Sequence, residues 1–336
     1  MSTVSGEHFL VTRLRFLGDI VLCTPLLEAL REARPDSRIE FLGASPHVDV
    51  LRDHPAVDRL HVLPGRATTA DMLRMALRLR QCRFDAVFDL FGNPRSALLT
   101  RLTGAPLRVG PDRGTRARLY THRRGRPAGD RSAVRHHLDK LVPLLGEAPP
   151  PRPTSLRVHP AERERVRAAL DLPERVRVIH PGSTWPDKAW PGDRWPILVQ
   201  RLTEQGGAPL VVIEPPTQRG LAARVAGDTG ARPLDVLDVR SILALLTHAD
   251  LYVGNDGGIL HAAIALGVPS VGLLGPTEPD IWFPYEHLGP FRVIHRCDEA
   301  GTDARGRPRS RLTRIDVEEV LARVGEVTAA TRDGAT

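Results

Sequence analysis

The stretch Leu251–Thr277, LYVGNDGGILHAAIALGVPSVGLLGPT, reads as strand, tight turn, short helix and second strand. Leu251 to Gly254 is apolar and stops at Asn255-Asp256-Gly257-Gly258, where two glycines permit a sharp turn and close approach by a ligand. Ile259 to Leu266 is alanine-rich and of helical length, and Gly267 followed by Pro269 ends it. Ser270 to Leu274 is an apolar run of the kind buried in a parallel sheet. In such a unit the first N–H groups of the helix point beyond the strand ends, which makes a seat for phosphate. The same pattern also describes an ordinary βαβ corner with an Asx-turn.

The rest of the chain repeats this alternation. Strands are predicted at His8 to Leu14, Arg38 to Leu42, Arg59 to Leu63 and Phe84 to Leu90, with helices at Thr24 to Ala33 and Ala70 to Gln81. Arg108 to Arg135 holds nine arginines against two aspartates and reads as an irregular, solvated loop. His136 to Leu145 is helical, and Pro149-Pro150-Pro151-Arg152-Pro153 is the clearest linker. Beyond it the alternation restarts, with strands at Arg175 to His180, Leu210 to Glu214 and Phe291 to His295 and a last helix from Ile315 to about Val327. The expected fold is α/β: two Rossmann-like domains with parallel sheets, 1–153 and 154–336, facing an interdomain cleft. The final helix is a candidate to pack back on the N-terminal domain.

At 336 residues, with 41% apolar and 26% charged residues, the composition is that of a soluble globular protein. The first apolar run carries Glu7, His8 and Arg13, which argues against a secretory leader and for a cytoplasmic location. Cys23, Cys82 and Cys297 lie far apart, and their spacing suggests neither a disulfide framework nor a zinc site. Lys140 and Lys188 are the only lysines among 47 basic residues. The net charge of +7 suits an anionic membrane or a phosphorylated substrate. With 4% aromatics and no nucleic-acid module, nucleic acid is not expected as a partner.

Three loops carry residues fit for chemistry. In Arg15–Asp19, RFLGD, the Asp19 carboxylate suits either a general base or a cap on the following helix. In His180–Trp190, HPGSTWPDKAW, the hydroxyls of Ser183 and Thr184 accompany Lys188, a compact charge suited to a diphosphate; the alternative is a surface loop pinned by its tryptophans. The third is the Asn255–Gly258 turn, with His261 one helical turn further on, a ligand contact or a core residue. No GxGxxG, GxxxxGK[ST] or GxSxG is present, and no D-x-D pair, so a metal-bridged sugar nucleotide is not indicated.

Together these loops resemble glycosyltransferase family 9, the heptosyltransferases that use an ADP-sugar. The matching pieces are LRFLGDIVLCTPLLEALREARPDSRIEFLG, FDAVFDLFGNPRSALLTRLTGAPLRVG, HPGSTWPDKAWPGDRWPILVQRL, NDGGILHAAIALGVPSVGLLGPT and LTRIDVEEVLARV. The resemblance implies a GT-B architecture with the acceptor on the N-terminal domain and the donor on the C-terminal one. It implies inverting transfer of heptose from ADP-heptose, with no metal or other cofactor, to a carbohydrate or glycolipid acceptor. It gives Asp19 as catalytic base and Ser183, Thr184, Lys188, Gly257 and Gly258 as diphosphate-binding residues. It gives Asp256 and His261 as contacts to the donor sugar and nucleotide. Relatives often hold the ribose with an acidic residue near the helix after Val211-Val212-Ile213-Glu214; here Gln218 stands there and Glu214 lies upstream, which leaves that contact open between them. Arginine dominance suggests a high-GC genome, so a natural-product acceptor stands beside the lipopolysaccharide core. A non-catalytic sugar-nucleotide-binding protein on the same scaffold is the alternative.

Overall fold

The computed structural model describes residues 7–127, 129–302 and 308–333. Residues 1–6, which belong to the segment read above for a leader, lie outside them. The chain divides into two compact units, Met1–Arg157 and Val158–Thr336.

The N-terminal unit is built on six parallel strands: β1 (His8–Thr12), β2 (Arg38–Ala44), β3 (Arg59–Leu63), β4 (Ala86–Asp89), β5 (Leu107–Gly110) and β6 (His122–Arg123). Their order is β3-β2-β1-β4-β5-β6. Helices Thr69–Gln81 and Pro94–Leu102 send Met75, Ala76, Leu79 and Leu99 onto the sheet face that carries Leu10, Leu42, Leu63 and Val87. Helices on both faces explain why β1, β2 and β4 are buried almost throughout rather than alternating. The chain leaves β1 toward β3 and returns to lay β4 on the other side of β1. The order therefore reverses between β1 and β4, and such a switch point opens a crevice at the strands' carboxyl ends.

The arginine-rich segment corrects the sequence reading. It is not loop throughout, because β5 ends and β6 lies within it. An edge strand of two exposed residues buries no side-chain face, so it leaves no apolar alternation to detect. The boundary falls beyond the proline run because Ser155 stays tied to the first unit: its N–H donates to Thr24 Oγ1 (3.0 Å) and its hydroxyl to Glu28.

The C-terminal unit repeats the plan with β7 (Val176–His180), β8 (Leu210–Val212), β9 (Arg232–Pro233), β10 (Ala249–Asn255), β11 (Ser270–Leu274) and β12 (Phe291–His295), all parallel, ordered β12-β11-β10-β7-β8-β9. Its switch point lies between β7 and β10. The last helix, Val317–Asp333, sends Val320, Leu321, Val324 and Val327 into this unit's own core beside Trp195 and Leu198.

Candidate active site

Each switch point gathers residues singled out in the sequence. In the N-terminal unit Asp19 sits in the first turn of the short helix Leu17–Val21, which follows the carboxyl end of β1. Its Oδ2 accepts the backbone N–H of Phe16 at 3.0 Å, so capping is real. Its Oδ1 accepts from Arg13 Nη2 at 2.5 Å. Arg13 in turn donates to the Leu90 carbonyl (2.7 Å) and stacks over the Phe91 ring at 4.6 Å, bridging the ends of β1 and β4. The carboxylate is thus aimed by two donors, one per oxygen, and further lone pairs on each oxygen stay available to a substrate hydroxyl.

The end of β4 is shaped by Asp89, which is fully buried. Its Oδ1 accepts the N–H groups of Phe91 and Gly92, each at 2.9 Å, and its Oδ2 accepts from the Tyr120 hydroxyl at 2.7 Å. Burial pushes the Asp89 carboxyl above its ordinary range, against these hydrogen bonds, which pull it down. It is a structural anchor for the turn beside Arg13. Neither Arg13 nor Asp89 belongs to a motif in the sequence; the signal available for Asp89 is an aspartate that closes the strand-like segment Phe84–Asp89.

In the C-terminal unit the loop after β7 and the turn after β10 meet. Asn255 joins them, donating from Nδ2 to the Pro181 carbonyl (2.7 Å) and accepting the Trp190 N–H (3.0 Å). Lys188, in the turn Pro186–Lys188, lies with Nζ 2.5 Å from Asp256 Oδ2, and the Thr277 hydroxyl donates to the same oxygen. Asp256 Oδ2 therefore carries a lysine and a hydroxyl, with its side chain only 6% exposed. The helix Gly258–Ala265 starts two residues later, and its first N–H groups have no partner within the helix.

The remaining predicted residues fall around this pair. Ser183 Oγ donates to the Trp185 carbonyl at 2.9 Å, while its N–H donates to Gln218 Oε1 at 3.0 Å. Thr184 is exposed. Gly257 has extended backbone and caps the helix. Gly182 has no room for a side chain, since a Cβ there would fall 2.3 Å from Pro215 Cδ. His261 is buried, its Nδ1 3.0 Å from the Tyr285 hydroxyl, and belongs to the packed base of the turn. His180 is held neutral, its pKa pushed down to about 4 by burial.

Glu214 and Gln218 both accept hydrogen bonds from backbone N–H groups. Glu214 accepts the N–H of Gly220 (3.1 Å) and of Ala222 (2.8 Å) at the start of helix Leu221–Ala226, while Gln218 ties its loop to Ser183. Glu214→Ala is expected to lower stability by about 1 kcal/mol, the cost of a lost helix cap, and to leave ADP affinity unmoved. Thermal melts and calorimetry check this. A loss of affinity of about tenfold, equivalent to 1.4 kcal/mol, at unchanged melting temperature would assign Glu214 to the ligand instead.

Comparison with known proteins bears on the family and the fold. The family model for glycosyltransferase family 9 (heptosyltransferase) matches residues 72–296. Lipopolysaccharide heptosyltransferase 3 of Escherichia coli is 24% identical, over 96% of this chain and 99% of its own. Lipopolysaccharide heptosyltransferase 1 of Pseudomonas aeruginosa is 28% identical over 83% of each. The solved structure of the E. coli ADP-heptose lipopolysaccharide heptosyltransferase II superposes with a TM-score of 0.80 at 21% identity, covering 97% of this chain and 99% of that one. The fold is GT-B. With two parallel α/β sheets, each bearing its polar loops at a switch point, and a family match over two thirds of its length, the chain belongs to glycosyltransferase family 9, the heptosyltransferases.

Proposed function

We propose that this enzyme transfers heptose from ADP-heptose to a hydroxyl of the lipopolysaccharide inner core, with inversion and without a divalent metal. The observation that carries the donor half is the convergence of Lys188, Asp256 and the helix start at Gly258 on the β7/β10 switch point. As the sugar leaves, negative charge builds on the β-phosphate. Lys188, the hydroxyls of Ser183 and Thr184 and the N–H groups at Gly257 and Gly258 can share that charge without a metal. Asp256 holds the lysine until phosphate competes for it, and His261 supports the turn through Tyr285.

On the acceptor side Asp19 takes the hydroxyl proton as that oxygen attacks the anomeric carbon. One displacement by the acceptor inverts the anomeric centre and needs no enzyme nucleophile. The relatives' names support the donor and the lipopolysaccharide acceptor. Contact with an anionic membrane is supported by the arginines between 108 and 135 and by exposed Leu73, Leu77, Leu98 and Leu102 on neighbouring helices. Among the described residues no helix is long and apolar enough to cross a membrane. The proposed place of action is the cytoplasmic side.

The test is transfer from radiolabelled ADP-heptose to heptose-free lipopolysaccharide core, with aminocyclitol and sugar natural products in parallel. The label is expected on the core acceptor, with ADP bound equally well with and without EDTA. Label found only on a natural product would move the acceptor assignment. ADP binding with no transfer to any acceptor would favour a non-catalytic binding protein, and loss of ADP affinity with EDTA would refute the metal-free donor site.

A further inference from the structure

A second polar cluster lies at the other end of the N-terminal sheet. Asp19 follows the carboxyl end of β1, whereas His8 opens that strand. In register, His8 stands beside Arg38, Glu40 beside Leu10 and Arg59, and His61 beside Leu42. Strand partners point to one face, so His8, Glu40 and His61 share the face of Leu10 and Leu42, under the end of helix Thr69–Gln81. Cys82 ends that helix. Oxygen, nitrogen and sulfur atoms of Glu40, His61 and Cys82 all lie within 4.8 Å of one another.

A buried carboxylate among leucines requires compensation. Glu40 is fully buried, and its Oε2 contacts His61 Nε2 at 2.5 Å. Its Oε1 faces Arg38 Nε at 2.8 Å and His8 Nε2 at 3.2 Å but accepts a hydrogen bond from neither. His8 Nδ1 lies 3.1 Å from the Cys82 carbonyl. That contact turns Nε2 toward Glu40 Oε1, and Nε2 is likewise buried without a hydrogen-bond partner. A metal cation between Nε2 and Oε1 would give both buried atoms a partner, with the Arg38 guanidinium beside the same oxygen. An imidazole whose other nitrogen donates to a backbone carbonyl is also the usual arrangement of a metal-binding histidine.

The geometry points to a zinc site formed by Glu40, His61 and Cys82, with His8 Nε2 as the fourth group. Mixed sulfur, nitrogen and carboxylate donors are the set zinc prefers. Zinc bonds of about 2.0–2.3 Å bring ligand atoms to roughly 3.3–3.8 Å from one another, so side-chain movements on the order of 1 Å close the cluster. On binding, the Cys82 thiol proton and the proton shared by His61 Nε2 and Glu40 Oε2 both leave to solvent, while Zn–S, Zn–N and Zn–O bonds form. The side chains of Arg38 and Arg59 are 48% and 55% exposed and can turn outward. The metal would clamp β1, β2 and β3 to the end of the helix, away from Asp19, and has no part in transfer. The competing account is a buried Glu40–His61 ion pair with Cys82 as a bystander.

The experiment titrates the full-length, chelator-stripped protein with Co²⁺ and then Zn²⁺. One equivalent of Co²⁺ is expected to give a thiolate-to-cobalt charge-transfer band that Zn²⁺ abolishes. Cys82→Ser should remove the band, and Cys23→Ser and Cys297→Ser should keep it. His61→Gln should weaken Co²⁺ binding by at least about tenfold, the least that lost support of a metal site costs. Melting curves of the metal-free variants establish that each is folded. In the wild type, Zn²⁺ should slow alkylation of Cys82 by iodoacetamide, a readout that needs no variant, and should leave ADP affinity unchanged. Absence of a band, a band that survives Cys82→Ser, or alkylation indifferent to Zn²⁺ would overturn the site and leave the ion pair.

Discussion

Asp19→Asn is expected to turn over at least about 10²-fold more slowly than the parent enzyme while binding ADP equally well. The amide oxygen still accepts the Phe16 N–H, so the helix start is kept, but the group can no longer take a proton. Its neighbour decides what happens to stability. Arg13 loses a charged partner yet keeps its hydrogen bond to the Leu90 carbonyl and its stacking on Phe91. The cost is that of one weakened charge-assisted bond, about 1–3 kcal/mol, and the fold survives it. Asp19→Ala removes the cap as well, adding about 1 kcal/mol. If Asp19 acts only as a cap and an Arg13 partner, the order reverses, with Asn near the parental rate and Ala destabilised. Turnover, ADP affinity and melting temperature of both variants separate the accounts. An Asn variant retaining more than about a tenth of the parental rate excludes the general-base role.

What could be read from the sequence depended on how local the determinant was. Ser270–Leu274 is a strand with the bounds that its apolar run predicts, because central parallel strands are buried on both faces. Thr24–Ala33 likewise matches its helical pattern, with Pro25 in its first turn. The arginine-rich stretch failed for the opposite reason, since β6 sits at an exposed edge where nothing requires apolar residues. The loops carrying Asp19, Lys188 and Asp256 were legible because each follows a strand directly, and the switch points then explain why those loops hold the polar groups. Partnerships were not legible. Lys188 and Asp256 read in the sequence as separate contacts to the donor, and their pairing spans 68 positions. Thr277 entered the sequence reading only as the end of an apolar stretch. Glu40, His61 and Cys82 lie on β2, β3 and a helix end, with no motif spacing to betray that they meet.

That pairing sharpens what removal of Lys188 should do. One charge-assisted contact to phosphate contributes about 1.5–3 kcal/mol, so Lys188→Ala should weaken ADP binding by roughly ten- to 150-fold and slow transfer. The loss should lie toward the upper end. The deletion also leaves Asp256, nearly buried, with only the Thr277 hydroxyl on Oδ2 and its negative charge beside the seat of the phosphates. Lys188→Arg should recover only part of the affinity, because a planar fork does not occupy the position of a compact ammonium. The contribution of Asp256 is separable. Asp256→Asn added to Lys188→Ala removes the uncompensated charge, so the double variant should bind ADP more tightly than Lys188→Ala alone, although more weakly than the parent. Additive losses in this cycle would mean that the two residues act independently on the donor. Parental affinity and rate in Lys188→Ala would show that the loop only supports the fold, and the donor site would then have to be sought elsewhere.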